Sequence, residues 1–186
     1  MIETKRLILR NFKESDIDDY FECVSQEDVL PRIGVDAYTD KDKAYKRLVS
    51  ESQKPLRFAI VLKENNKVIG NISLNEPKVE RYTGIEIDEN TRELGYFLSH
   101  DYWGRNIMHE AGVGLLNYAF NELGVMKIVC GTKELNKQSV RVQEKIGLKF
   151  HSVKNDASVW INGENCGYVR TCISAKEWIK NKKELQ

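Results

Sequence analysis

One stretch organises this sequence: E-L-G-Y-F-L-S-H-D-Y-W-G-R-N-I-M-H-E-A, residues 93–111. It starts as a short apolar run, passes through a polar turn that contains Gly104, and opens directly into a helical pattern. A strand, a turn and a helix N-terminus in this order form an anion site, because unpaired N–H groups and the positive end of the helix dipole point to the same place. We therefore expect the rest of the chain to support this site and to bring a second substrate to it.

Hydrophobic periodicity predicts helices and strands on both sides of this stretch. The predicted strands are 5–12, 57–63, 67–74, 91–98, 126–132, 148–153 and 166–173. The predicted helices span about 15–27, the residues after a Thr39–Asp42 capping box, Asn106 to Gly124, Asn136 to Gly147, and the residues after Ser174. Gly70 inside a strand predicts a bulge or a close approach of two backbones, and Asn162-Gly163 predicts a hairpin turn.

The order β-α-α-β-β-β-α-β-α-β-β predicts an α/β (α+β) fold in which the central β-α-β-α portion allows parallel pairing and the hairpins impose antiparallel pairing. We expect one domain, residues 1–186, built on a mixed, strongly twisted sheet with helices on both faces. The polar connection 76–90 between two of the strands is long enough to be a loop on the substrate side.

Composition excludes several classes of protein. The net charge of +1, from 29 basic and 28 acidic residues, argues against a general nucleic-acid binder. No apolar run has the length of a membrane span and the N-terminus lacks a signal-peptide layout, so we expect a cytoplasmic protein. The cysteines form no C-x-x-C and lie at no zinc-like spacing from a histidine, so we interpret them as reduced, mostly buried thiols and predict no metal; they are Cys23, Cys130, Cys166 and Cys172.

Two sequence blocks make a family resemblance specific: W-G-R-x-x-M-x-E-A at 103–111 and N-x-x-S-x-R-x-x-E-K-x-G-x-x-F at 136–150. T-K-R-L-I-L-R at 4–10, W-I-N-G at 160–163 and I-S-A-K-E-W at 173–178 extend the match over nearly the whole chain. The sequence resembles the GNAT-type, acetyl-CoA-dependent N-acetyltransferases, most closely the branch that acetylates N-termini of ribosomal proteins (the RimJ/RimL type).

The resemblance implies where acetyl-CoA binds. The pyrophosphate loop would comprise Trp103, Gly104, Arg105, Asn106, Ile107 and Met108. The family usually has Gly where Asn106 stands, and Asn is the residue other than Gly that best tolerates a positive φ. The strand with Phe97 and Leu98 would splay from its neighbour, so that its backbone pairs with the pantetheine arm. In relatives the residue at Asn136 hydrogen-bonds pantetheine, and the residue at Ser139 lies near the sulfur.

Acetyl transfer to an amine needs a base for the ammonium and a proton donor for the thiolate. Glu93 is the leading base, with Glu86 and His100 as runners-up; the structural alternative is a strand carboxylate paired with an arginine such as Arg92 or Arg141. Ser139 is the leading donor. Its structural alternative is to cap or turn the helix after Asn136, and Tyr168 is the alternative acid.

We expect an enzyme that transfers the acetyl group of acetyl-CoA to a primary amine, and the resemblance implies the N-terminal amine of a protein such as a ribosomal protein. A small-molecule amine, a polyamine or an aminoglycoside-like antibiotic, is the rival acceptor. A non-catalytic acyl-CoA-binding or regulatory module is the alternative of another class. The sequence does not determine the oligomeric state. The resemblance implies a homodimer, because dimers are common among relatives.

Overall fold

The structure is a computed structural model that describes residues 1–154, 160–161, 164–165 and 167–185, with no side-chain description for 160–161, 164–165 and 182–185. The strands within these residues are β1 (Ile2–Glu3), β2 (Leu7–Arg10), β3 (Arg57–Leu62), β4 (Val68–Asn75), β5 (Thr91–Leu98), β6 (Lys127–Lys133), β7 (Lys149–Lys154), β8 (Trp160–Ile161), β9 (Glu164–Asn165) and β10 (Tyr168–Ser174). The helices are α1 (Ile17–Val24), α2 (Lys41–Ser52), α3 (Ile107–Asn121), α4 (Lys137–Lys145) and α5 (Ala175–Leu185).

Among the described strands, eight form one open mixed sheet in the order β1-β2-β3-β4-β5-β6-β10-β7, and β8 pairs with β9 separately. The pairs β1–β2, β2–β3 and β3–β4 are antiparallel, as are β6–β10 and β10–β7. β5 and β6 are parallel, because the crossover through α3 brings the chain back to the end of the sheet at which β5 begins. The predicted mixed α/β fold is confirmed.

The parallel ladder between β5 and β6 is short. It runs from Thr91, opposite Lys127, to Glu93, opposite Val129, and ends halfway along β5. At the next position the thiol of Cys130 donates to the carbonyl oxygen of Leu94 at 3.3 Å. The early end of this ladder agrees with the central strand pair predicted to splay.

By its internal contacts the chain divides into two compact units, and each is described by itself. The first unit comprises Met1–Leu74 and Gly95–Leu116, and the second comprises Asn75–Leu94 and Asn117–Gln186. The single domain expected from the sequence stays a prediction. A buried apolar cluster joins α1 and α2 to the strands of the first unit; its members are Phe12, Tyr20, Val24, Val29, Leu30, Ala44, Leu48, Ala59, Val61 and Val68.

Gly70 in β4 marks a close approach of two backbones in the first unit. A Cβ at this position would lie 2.5 Å from the carbonyl oxygen of Phe97 and 3.0 Å from the Cα of Leu98, and neither backbone atom can move aside cheaply. The facing strand shifts its register between Ile60 and Val61 at the same point. Both parts of the prediction for Gly70, the bulge and the close approach, are confirmed.

The second unit packs Trp178 of α5 into its interior. The indole is 1% exposed, lies 5.9 Å from the ring of Phe120 between centroids, and donates its N–H to Asn117 Oδ1 at 3.3 Å. Ser174 caps α5 as predicted: its hydroxyl accepts from the backbone N–H of Glu177 at 3.3 Å, and the Glu177 carboxylate accepts from the Ser174 N–H at 3.0 Å.

Three details differ from the prediction or lie beyond the described residues. Asp40, not Thr39, caps α2: its backbone is extended, and its carboxylate accepts from the backbone N–H of Asp42 and Lys43. β1 has only two residues and no periodic pattern, and it was not predicted. The Asn162-Gly163 turn and Cys166 lie outside the described residues, although the flanking strands β8 and β9 pair antiparallel.

Within the described part of the chain, no helix combines the length and the apolar character needed to cross a membrane.

Candidate active site

The loop before α3 contains two residues with left-handed backbone angles. Gly104 has φ 75° and Asn106 has φ 55°. The sequence predicts that Asn106 can take the conformation usually given to Gly, and this is confirmed. A Cβ placed on Gly104 would meet no atom within 4 Å, so the space beside this residue can admit a ligand. A backbone of this shape next to the first N–H groups of a helix suits a pyrophosphate.

Arg6 holds this loop in place. Its guanidinium donates to the backbone carbonyl of Arg105 at 3.1 Å and pairs with Glu110, in the first turn of α3, at 2.6 Å. Burial would raise the pKa of Glu110, but hydrogen bonds from the Thr4 hydroxyl, the Arg6 N–H and the Arg6 guanidinium lower it overall. Glu110 is therefore ionised and paired, and its charge is neutralised beside the anion site.

The side chains of the loop have different surroundings. Ile107 and Met108 are buried, so only their main chain can contact a cofactor. The guanidinium of Arg105 lies 5.3 Å from the ring centre of Tyr102. Trp103 donates its indole N–H to the carbonyl of Leu98 at 2.8 Å, which fixes the loop to the end of β5.

The ring of Trp103 is covered on its faces by polar side chains. His100 stacks on it at 4.4 Å between centroids, and the guanidinium of Arg32 lies 4.8 Å from its centre. His100, a runner-up base, is exposed and pairs through Nδ1 with the carboxylate of Asp28. These contacts tie the loop after α1 to the loop before α3.

Phe97 and Leu98 lie at the end of β5, where Phe97 is partly buried and Leu98 is buried, so their backbone is the part open to a cofactor. Phe97 is half-buried and packs edge-on against Tyr20, 6.4 Å between ring centroids, while Leu98 is 8% exposed. The Leu98 carbonyl accepts a hydrogen bond from the Trp103 indole, and the N–H of the next residue, Ser99, donates to the carbonyl of Ile69 at 2.8 Å.

Glu93, on the last rung of the β5–β6 ladder, is held by the connection that precedes its strand. Its side chain is 13% exposed; Oε2 accepts from the N–H of Lys78 at 3.3 Å, and Oε1 lies 3.6 Å from the guanidinium of Arg81. The structural alternative for Glu93 was pairing with an arginine such as Arg92 or Arg141; the arginine beside Glu93 in the structure is Arg81. Arg92 instead lies 3.6 Å from Glu76.

The other proposed acids and bases have structural contacts. Glu86 is exposed on the connection, and its backbone carbonyl accepts from Lys127 at 2.7 Å. The ring of Tyr168 lies against Gly131, where a Cβ would come within 2.2 Å of Cε1. Burial, followed by the charges of Cys130 and Glu93, raises the pKa of Tyr168, so that it is a weak acid.

Asn136 and Ser139 lie at the start of α4 and belong to a chain of hydrogen bonds. Asn136 Oδ1 accepts from the N–H of Ser139 at 3.2 Å, so the structural alternative of an N-cap is realised at Asn136. The buried amide of Gln143 donates to Ser139 Oγ at 3.2 Å and accepts from the Thr171 hydroxyl at 2.7 Å. Because Gln143 donates to Ser139 Oγ, the serine hydroxyl keeps its own proton as a donor group.

The predicted site residues thus fall into two groups. The first unit carries Phe97, Leu98 and the residues from Trp103 to Met108; the second carries Glu93, Asn136 and Ser139. Three residues with roles in these contacts were not predicted: Arg6, Tyr82 and Gln143. Arg6 lies in a block quoted for the family resemblance, and Tyr82 is the one aromatic residue in a polar connection, so both carried a signal in the sequence. The burial of Gln143 is visible only in the structure.

The described residues include no group of three or more His, Cys, Asp or Glu side chains that could hold a metal ion. The thiols of Cys23 and Cys130 are buried, and that of Cys172 is half-buried. Burial, followed by the charge of Glu22, raises the pKa of Cys23 to about 12, so this thiol is inert.

Comparison with known sequences gives a consistent assignment. The pattern of the acetyltransferase (GNAT) domain family matches residues 6–149. Two relatives from Bacillus subtilis are "Probable N-acetyltransferase YjcK", 30% identical over 81% of this chain and 78% of its own length, and "Uncharacterized N-acetyltransferase YnaD", 27% identical over 80% and 82%. YdaF of the same organism, whose name proposes ribosomal N-acetylation, is 28% identical over 46% of each chain.

Solved structures share the fold. An acetyltransferase of the GNAT family from Bacillus anthracis superposes with a TM-score of 0.81 at 22% identity, over 94% of this chain and 98% of its own. The spermidine N-acetyltransferase of Vibrio cholerae, in complex with CoA and spermine, superposes with a TM-score of 0.75 at 17% identity, over 95% and 99%. At these identities the likeness concerns the fold.

Proposed function

The chain belongs to the GNAT family and is an acetyl-CoA-dependent N-acetyltransferase, and we propose that its acceptor is the N-terminal amine of a protein, such as a ribosomal protein. The residues that we propose for catalysis are Glu93 and Ser139. For acetyl-CoA we propose Asn136, Ser139, the backbone of Phe97 and Leu98, and the loop from Trp103 to Met108. We further propose one domain, a homodimer and a cytoplasmic location.

The observation that carries the mechanism is the position of Glu93 where the β5–β6 ladder ends. The carboxylate is largely buried and kept in place by Lys78 and Arg81, so that a proton acceptor has a fixed position. A general base contributes about 10²- to 10⁴-fold to the rate of such reactions.

The reaction requires that the ammonium nitrogen lose two protons and that the departing sulfur gain one. Glu93 takes a proton from the ammonium, and the electron pair left on nitrogen forms the new bond to the acetyl carbon. The thioester supplies the acetyl group, and its C–S bond breaks. Ser139 donates its hydroxyl proton to the departing sulfur, and its oxygen recovers a proton from the nitrogen, which loses its second N–H proton as the amide forms. Gln143 holds the serine, and Asn136 holds the start of the helix that carries it.

One observation favours a polyamine as the second candidate acceptor. The connection 76–90 contains five acidic residues, Glu76, Glu80, Glu86, Asp88 and Glu89, against two basic ones, Lys78 and Arg81. A net acidic loop attracts cationic substrates, and the spermidine N-acetyltransferase of V. cholerae has the same fold.

Release of CoA measured across N-terminal peptides, spermidine, spermine and aminoglycosides decides between the acceptors. We expect the highest kcat/KM for a peptide, with a weak dependence on ionic strength. A strong preference for spermidine that falls steeply with added salt would instead identify a polyamine acetyltransferase. Binding of acetyl-CoA without CoA release from any acceptor would indicate the non-catalytic module.

The base is tested by Glu93→Gln, with Glu86→Gln, on the connection that precedes β5, as the matched control. We expect E93Q to lower kcat by about 10²-fold or more, with acetyl-CoA affinity unchanged, because the amide keeps its shape and loses its basicity. E86Q should retain wild-type turnover. Unchanged turnover of E93Q at neutral pH would refute the assignment.

A further inference from the structure

Tyr82 has a buried hydroxyl that the reaction described above does not use. The residue follows the turn Val79–Arg81 in the connection between β4 and β5 and is 1% exposed. Its hydroxyl has no hydrogen bond of ordinary geometry to any of the described residues. Buried hydroxyl groups are normally paired, because an unpaired one loses its hydrogen bonds to water without replacement.

The turn that carries Tyr82 folds around the carboxylate of Glu93. The N–H of Lys78 donates to one carboxylate oxygen at 3.3 Å, and the guanidinium of Arg81 lies 3.6 Å from the other. Tyr82 comes directly after Arg81, and its phenol interacts with the same carboxylate, whose charge adds to burial in raising the pKa of the phenol. Lys78, Arg81 and Tyr82, which are three of five consecutive residues, therefore all interact with Glu93.

Three other groups face Glu93 from the elements packed around it. They are the guanidinium of Arg81 on the connection, the thiol of Cys130 on β6 and the phenol of Tyr168 on β10. Burial raises the pKa of Cys130 and of Tyr168, so both stay neutral at physiological pH. Arg81 is 45% exposed, and solvent screens its charge.

Tyr82 differs from these groups because its hydroxyl is buried and makes no hydrogen bond of ordinary geometry with the described residues. Burial, followed by the charges of Cys130, Tyr168 and Glu93, raises the pKa of Tyr82, so the phenol stays protonated. A neutral phenol can act on a carboxylate only as a donor, and such a bond is stronger where solvent is excluded.

We propose that Tyr82 is a positioning residue for Glu93: its hydroxyl donates to the carboxylate, directly or through one water molecule, and keeps it oriented towards the acceptor amine. The proposal rests on the proposed function, in which Glu93 is the base. In the proton transfer an N–H bond of the ammonium breaks, an O–H bond forms on Glu93, and the electron pair stays on nitrogen. The O–H bond of Tyr82 is not broken.

Tyr82→Phe tests the proposal, because it removes one oxygen atom and keeps the ring. We expect the acidic limb of the kcat/KM profile to move up by about one pH unit, because a donor to the ionised carboxylate is lost. We also expect kcat/KM at pH 7 to fall about tenfold, with acetyl-CoA affinity unchanged. Tyr45→Phe is the control, since Tyr45 makes a Tyr–Glu hydrogen bond with Glu14 in the first unit; its profile should match that of the wild type.

A second measurement does not depend on catalysis. Carbon-13 NMR of the Glu93 carboxyl group in the protein without substrate should show that Y82F titrates about one pH unit above the wild type. An unchanged carboxyl titration in Y82F refutes the positioning role, whichever amine is the acceptor. By contrast, an active E93Q refutes Glu93 as the base and leaves the NMR result as it stands, so the two failures are distinguishable.

Discussion

Replacement of Asn106 by alanine tests whether the backbone of the loop before α3 is the binding element for pyrophosphate. Asn106 has φ 55°, an angle that Gly adopts freely and that a residue with a Cβ adopts at a cost of about 1–2 kcal/mol. Asn tolerates this angle better than Ala does, so we take about 1 kcal/mol as the difference between them. In N106G the glycine should adopt this φ without strain.

The cost of N106A appears in one of two quantities. If the loop keeps its conformation, the free energy of unfolding falls by about 1 kcal/mol and acetyl-CoA affinity is unchanged. If the loop relaxes, the fold keeps its stability, and binding must restore the angle, which weakens the Kd by about fivefold. The two losses should therefore sum to about 1 kcal/mol. N106G should change both quantities by less than about 0.5 kcal/mol, because the relief of strain is offset by the larger entropy of the unfolded chain.

The control is Asn66, in the turn between β3 and β4, which has φ 59° and no proposed contact with the cofactor. Urea unfolding gives the stability, and isothermal titration calorimetry with acetyl-CoA gives the Kd. N66A should lose stability only. The explanation is refuted if N106A changes neither quantity, or if N66A weakens acetyl-CoA binding as much as N106A does.

Two further outcomes are expected. Ser139→Ala and Gln143→Met should each lower kcat with little change in acceptor KM, and the double variant should be no slower than S139A, because Gln143 acts through Ser139; additive losses in the kinetic cycle would contradict this. The hydrogen bonds of Glu177 to the Ser174 N–H, to Lys149 and to the Ser174 hydroxyl lower its pKa to about 2 from an ordinary 4.5, so its contribution to stability is complete above pH 4.5 and is lost as the pH falls towards 2. Urea unfolding of wild type and Glu177→Gln across this interval should therefore converge at low pH, and a constant difference would rule the linkage out.

The local features of this fold could be predicted because each has a local cause. Gly70, Asn106 and the Ser174–Glu177 cap are single positions whose backbone needs restrict the residue type. The helices, and the strands of the large sheet other than β1, follow from apolar periodicity in the sequence. β1 has only two residues, which is too short for any period to show.

The long-range partners could not be predicted, because pairings between distant residues leave no mark in a local pattern. The insertion of β10 between β6 and β7 is one example, since it depends on the return of the chain after the last hairpin. The partner of Glu93 is another: Arg92 is adjacent in sequence, but strand neighbours point to opposite faces, and Arg81 reaches the carboxylate from the connection. Tyr82 is buried for the same reason, although its neighbours in sequence are polar.

The contacts between the connection and Glu93 link two properties of the enzyme, its acceptor range and its pH optimum. The sequence predicts that residues 76–90 form a loop on the substrate side, which makes them the segment to exchange in a search for a new acceptor. Lys78 and Arg81 of this segment also contact the carboxylate on β5. A grafted segment without these contacts would alter the pH optimum together with the acceptor range. Libraries built on this scaffold should therefore be screened at several pH values, with 78–82 held constant in one arm.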